Sequence, residues 1–278
     1  MKRLVVMIAP FNTRSGYGDH ARSIYYSIMD REDLDIKCID TKWGNTPRNH
    51  LRPEVPRHKK LLNSFTTQEQ IQSQPDILID IRIPNEFASG AKINIGITAG
   101  VETDVVSPAF LDGMNRMDFN IVPSKFTAET FNRCSYDKMQ DLPNGQKQKA
   151  GEVKNEKPIK VLFEGVDTDV YYPRDKHQLD KGLTKELNEL ITEDFAYLHV
   201  GQWGNQGFGE DRKNIGVLIK SFLKAFANIP NPPALVLKTN GSNFSLLDRV
   251  NVKKKIQEVK DMFTGVNLPN IYLIHGDF

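Results

Sequence analysis

Two hydrophobic patterns alternate along this chain. Short, largely apolar runs occupy residues 4–9, 34–39, 76–81, 93–98 and 119–122, and again 159–163, 196–200, 234–238 and 271–274. Runs of this length are strand-sized, and apolar character on both faces belongs to parallel strands covered by helices. Between several of them, apolar residues recur every three to four positions. Ala21, Ile24, Tyr25 and Ile28 form one stripe; Ile215, Ile219, Phe222 and Phe226 form another, with Leu218 and Leu223 beside it. That spacing is one face of an amphipathic helix. Further helices are expected after Ser107, over 125–133 behind Ser124, ending over 186–192, and over 250–263. Asp19 and Ser124 have the short polar side chains that cap a helix start. The alternation predicts an α/β protein of two Rossmann-like, doubly wound lobes.

The periodicity lapses between residues 139 and 158, where the run QDLPNGQKQKAGEVKNEKP is polar. It reads as a domain boundary or an exposed loop beside one, dividing residues 1–150 from 151–278. Residues 42–60 carry Arg48, Arg52, Arg57, Lys59 and Lys60 among prolines. They read as solvated, irregular surface, with acceptor contact as the alternative.

Composition narrows the class. A chain of 278 residues has room for two ordinary domains. Lys plus Arg total 37 against 35 Asp plus Glu, which gives no argument for a nucleic-acid partner. The apolar run at 4–9 is too short for a signal-peptide core, and no stretch is apolar enough to span a membrane. A cytoplasmic protein is expected, with Cys38 and Cys134 as reduced thiols rather than a lone disulfide. Neither cysteine has metal-ligand spacing, and no metal or cofactor is expected.

The candidate chemistry sits in loops that follow strands. Residues 201–213 combine Gly201, Gly204, Gly207 and Gly209 with Arg212 and Lys213 immediately before a helix. A helix start carries unpaired N–H groups and partial positive charge, so two cations there suit a phosphate or diphosphate. A solvated helix start behind an ordinary loop fits the same residues. Gly16 and Gly18 follow the first strand, where glycine permits either close ligand approach or a tight turn. They do not form a G-x-G-x-x-G fingerprint, so no dinucleotide is inferred. Glu102 and Asp104 follow the strand at 93–98. Carboxylates there could bind sugar hydroxyls or assist proton transfer, or could merely complement a helix dipole.

Arg212-Lys213-Asn214 followed by LIKSFLKAF resembles the donor-binding segment of GT-B glycosyltransferases, the two-Rossmann-domain type, family-four-like. The string NIVPSKFTAETF resembles the family's strand-Pro-Ser-helix junction. EGVDTDVYYP resembles its N-G-V-D-x-x-x-F-x-P turn, with Glu164 in place of Asn. That turn also accounts for Asp167-Thr168-Asp169, which has the D-x-D form of a metal site in a different glycosyltransferase fold. The resemblance is firm over 165–278 and weaker before Gly96. It implies two lobes with a cleft between them, an acceptor-side and a donor-side domain, and Arg212 and Lys213 on the donor diphosphate. It implies that loops with Gly16, Gly18 and Gly201 face that cleft. It further implies sugar transfer from a nucleotide-sugar to an unknown acceptor, mostly with retained configuration and without a metal. Many members carry a histidine in the loop that holds Glu102; here Glu102 is the nearest replacement and the catalytic candidate. The family's Glu-x7-Glu segment does not precede Phe278, so the second lobe is expected to be incomplete. A non-catalytic sugar- or nucleotide-binding subunit, completed by a second chain or by self-association, is the alternative.

Overall fold

A computed structural model describes residues 2–141, 147–204, 207–241 and 244–276. The chain forms two compact units, Met1–Asp167 and Thr168–Phe278.

In the first unit, β1 (Arg3–Ala9), α1 (Gly16–Ile28), β2 (Leu34–Asp40), α2 (Pro56–Asn63), β3 (Ile77–Ile81) and β4 (Ile93–Ile97) come in that order. They are followed by α3 (Pro108–Asn115), β5 (Phe119–Val122), α4 (Lys125–Arg133), β6 (Ser135–Asp141), β7 (Lys147–Lys154) and β8 (Ile159–Val161). Six strands pair in the order β2-β1-β3-β4-β5-β8, every neighbouring pair parallel. Strand β1 shows why the apolar runs have no alternation. Val5, Met7 and Ala9 pack with Ala21 and Tyr25 of α1, while Val6 and Ile8 pack with Leu78 and Ala91 on the opposite face. The strand order reverses between β1 and β3, the place where doubly wound sheets open a crevice at their carboxyl ends.

Several expectations change here. Ser15, not Asp19, caps α1: its Oγ accepts from the Gly18 N–H at 3.0 Å. Asp19 pairs with Arg22 instead. The buried Arg22 guanidinium donates through Nη1 to the carbonyls of Phe11 and Thr13, at 2.6 and 2.9 Å, and so shapes the loop after β1. Residues 42–60 are not irregular surface throughout. Pro56 starts α2, where its missing N–H costs nothing, and His58 and Leu61 point inward. The preceding segment is tied to the β1 loop, with the Leu51 N–H on Asn12 Oδ1 at 2.9 Å.

The polar run at 140–156 is largely hairpin: β6 and β7 pair antiparallel and are almost wholly exposed. Its residues 142–146 lie outside the described ones. Strand β8 then joins the first sheet by pairing with β5, so the units divide after Asp167 and not at residue 150. A ladder to β5 satisfies backbone groups that a strand alone would leave open.

The second unit contains α5 (Lys181–Leu190), β9 (Ala196–Val200), α6 (Ile215–Phe226), β10 (Ala234–Lys238), α7 (Leu246–Lys260) and β11 (Ile271–Ile274). Its strands are all parallel, in the order β11-β10-β9. Helices α6 and α7 cover one face, where Ile219, Leu223, Val252 and Ile256 meet Leu235 and Leu237. On β9, Leu198 and Val200 remain 67% and 66% exposed. Helix α7 begins four residues earlier than the sequence pattern suggests, because Ser245 caps it by accepting from the Asp248 N–H.

Candidate functional site

The sequence-derived residues lie at the carboxyl ends of two parallel sheets, one per unit. In the second unit, β9 ends at Val200, and the Gly201 N–H donates to the Lys238 carbonyl of β10 at 3.1 Å. The loop beyond is anchored by buried Trp203, whose backbone N–H donates to the Asn240 carbonyl at 2.8 Å. Lys255 of α7 reaches back to the Gly204 carbonyl at 2.8 Å and lies over the Trp203 ring. Residues 205–206 of this loop lie outside the described ones.

Entry into α6 is set by Asp211, which is buried and accepts the Ile215 N–H on Oδ1 at 3.2 Å. Asn214 takes a left-handed conformation, φ 50°, to turn the chain into the helix. Arg212 and Lys213 follow the buried aspartate and are exposed. A Cβ added to Gly201 would lie 3.2 Å from His199 Nε2 and 3.9 Å from Lys213 Cγ. The tertiary structure thus brings Gly201, Lys213 and His199 together. His199 is neutral at pH 7: burial lowers its pKa first and the Lys213 charge lowers it further, against an opposing pull from Asp211. Nothing in the apolar run of β9 marked this histidine, which is only one more strand position in the sequence.

The neighbouring strand ends are held by a second polar cluster. Asp248 of α7 accepts the Gly241 N–H at 2.9 Å and lies 2.9 Å from His275 Nε2. Both side chains are buried. A Cβ on Gly241 would come within 2.7 Å of Asp248 Oδ1, so a side chain there would displace the Asp248 carboxylate.

In the first unit, the two glycines after β1 separate into different roles. A Cβ on Gly18 would meet the Thr13 carbonyl at 2.5 Å and Arg22 Nη1 at 2.9 Å, so Gly18 belongs to the turn itself. A Cβ on Gly16 would meet nothing within 4 Å. Tyr17, between them, bridges to the loop after β4: its hydroxyl bonds Thr98 Oγ1 at 2.9 Å and accepts the Ala99 N–H at 3.1 Å. The Tyr17 ring stacks on Trp43, with centroids 4.2 Å apart. Burial is the main cause of its raised pKa, and the charges of Glu164 and Glu102 add to it. Glu102 is exposed on the loop after β4. Ser124 acts as a cap, accepting the Thr127 N–H at 3.1 Å. Both cysteines are buried and free.

Comparison with solved structures follows this geometry. The whole chain aligns with the N-terminal domain of Candida albicans trehalose-6-phosphate phosphatase at a TM-score of 0.51 and 11% identity, covering 73% of that chain. It aligns with an apo structure of OtsA at 0.50 and 10% identity, covering 74%. An E. coli structure described as trehalose-6-phosphate bound with UDP-2-fluoro glucose gives 0.50 and 8%, also covering 74%. The fold is GT-B-like. No family model and no curated protein matches the sequence. At these identities the likeness is one of fold, and the family-four-like assignment is not decided by it. No helix among the described residues is long and apolar enough to cross a membrane.

Proposed function

We propose that this GT-B-like chain is a glycosyltransferase that moves a sugar from a nucleotide-sugar to an acceptor hydroxyl, with retained configuration. The observation that carries the reading is Lys213 at the entry to α6, beside Gly201 and beyond the carboxyl end of β9. Anions bind at such positions in open α/β sheets. One of the solved structures of this fold is described as bound with UDP-2-fluoro glucose, which supports a uridine-type donor as the first probe.

In this reading, cleavage of the bond from the anomeric carbon leaves charge on the departing diphosphate. Arg212 and Lys213 stabilise that charge through charge-assisted hydrogen bonds from fixed positions. Gly201 lets the diphosphate approach the β9 end, and Gly16 leaves open space at the other sheet's edge. Glu102 supplies a carboxylate for sugar hydroxyls.

The test is titration calorimetry of UDP against wild type and an Arg212→Ala/Lys213→Ala variant. One charge-assisted hydrogen bond contributes about 1.5–3 kcal/mol, so affinity is expected to fall about tenfold or more. Equal affinity would reduce the pair to a solvated helix start. A second reading, a non-catalytic nucleotide-binding subunit completed by a partner chain, draws on the exposure of Leu198 and Val200 along β9. Release of UDP from UDP-glucose by the chain alone separates the two readings.

A further inference from the structure

The two faces of the first sheet are covered differently. On one, α1 packs against Val5, Met7 and Ala9. On the other, Val6 and Ile8 of β1 and Leu78 of β3 lie beneath two segments, 68–75 and 88–91. The first is a single 3-10 turn, Gln68–Gln70, followed by irregular chain; the second is irregular throughout. Between these segments and the sheet lies a cavity of about 360 Å³. Small-molecule sites run from about 300 to 1,000 Å³, so the space is large enough for one.

The walls are held from within the fold. The Ala88 N–H donates to Asp80 Oδ2 at 2.7 Å, and the Gly90 and Ala91 N–H groups both donate to Asn94 Oδ1 at 3.0 Å. Two further bonds join the segments to each other. The Lys92 N–H donates to the Pro75 carbonyl at 3.0 Å, and Gln74 Nε2 donates to the Gly90 carbonyl at 3.2 Å. These donors are satisfied without a ligand, so the space is preformed. Both segments precede their strands, β3 and β4, which places the cavity toward the amino ends of the sheet and away from its carboxyl edge.

The lining sorts into layers. Val6, Ile8, Leu78 and Ala91 make a buried aliphatic floor, with half-buried Ile71 and Ala88 beside it. Exposed Gln68, Gln72, Ser73 and Ser89 stand at the rim. None of the lining side chains ionises, in a chain of which 26% is charged. An ionic ligand would give up its hydration here with no opposite charge to replace it. No aromatic ring lines the space either, so it offers no stacking surface to a base. Amides and hydroxyls both donate and accept hydrogen bonds, as a ligand hydroxyl does. We propose that this cavity is a binding site for an uncharged aliphatic alcohol, its chain on the floor and its hydroxyl at the rim. The site is separate from the donor site proposed above and does not depend on it.

The test titrates the full chain with the straight-chain alcohols from butanol to octanol, read by methyl ¹³C NMR and calorimetry. Each added methylene is expected to raise affinity about fourfold, and the shifts to centre on the methyl groups of Val6, Ile8 and Leu78. Hexanoate and hexylammonium are expected to bind about tenfold or more weakly than hexanol. Ala88→Phe narrows the cavity from its wall and Ser89→Trp covers it from the exposed rim; circular dichroism establishes which of them fold. Each folded variant is expected to lose about tenfold or more in octanol affinity. Several results would overturn the site. They are no saturable binding of octanol, shifts scattered over other methyl groups, hexanoate or hexylammonium binding as tightly as hexanol, or glucose shifting the same methyl groups. Wild-type affinity in every variant that folds would do the same.

Discussion

Gly16 and Gly18 look equivalent in the sequence, yet substituting each with Ala should have opposite effects. At Gly18 a methyl group would sit 2.5 Å from the Thr13 carbonyl oxygen, 2.8 Å from Thr13 Oγ1 and 2.9 Å from Arg22 Nη1. Two of these atoms belong to the turn that Arg22 holds, so the clash cannot be relieved by a flexible chain end. Overpacking of this kind costs about 1–3 kcal/mol. Displacing one hydrogen bond of the buried guanidinium adds about 1.5–3 kcal/mol. The better helix propensity of Ala returns about 1 kcal/mol. The expected net loss is about 1.5–5 kcal/mol. At Gly16 the methyl group meets nothing within 4 Å, and reduced freedom of the unfolded chain should stabilise by about 0.4–1 kcal/mol. The chain has two tryptophans, Trp43 in the first unit and Trp203 in the second. A Trp203→Phe background therefore leaves Trp43, stacked on Tyr17, to report unfolding of the first unit in urea. Equal midpoints for G18A and wild type, or a G16A loss as large as that of G18A, would refute the assignment of Gly18 to the turn.

Two further outcomes follow from the cores. Leu223 is fully buried between α6 and the second sheet, so Leu223→Ala should cost about 2–5 kcal/mol, read from Trp203 fluorescence, and leave the first unit's transition unmoved. Burial pushes the Cys38 thiol up to about 12, so it should resist thiol reagents at pH 8 until the protein unfolds. The same shift gives a signed pH effect. The thiol is protonated in both states below about 9; between about 9 and about 12 only the unfolded chain ionises, so stability falls, and Cys38→Ala should remove that part of the fall.

Much of the architecture was legible as pattern. The nine apolar runs all became strands, and the Ile215–Phe226 stripe became α6 with its apolar side inward. Local rules failed where the competing signal was tertiary. Asp19 fits the role of a cap, but a buried Arg22 needed its carboxylate, and Ser15 was placed to take over. The tract at 140–156 shows no buried face in the sequence because as a hairpin it has almost none; pairing between its two arms, not burial, gives it structure. The basic run at 42–60 hid a helix start at Pro56, whose inward positions are only His58 and Leu61.

What the sequence determined by itself is whatever depends on neighbours three or four residues away, or on continuous burial: strand runs, helix faces, and the basic pair ahead of α6. Only the tertiary structure decided which loops share a sheet edge. Strand order is set by pairing between distant segments, and side chains far apart in the chain meet only once that order exists. His199 and Lys213 both flank Gly201, and Glu164 comes within 4.0 Å of His20 across 144 residues, because β9 and β8 end where they do in their sheets. No local periodicity encodes such a meeting, since a single histidine or glutamate carries no repeat. Long-range strand register fixes it, and register is a property of the folded sheet.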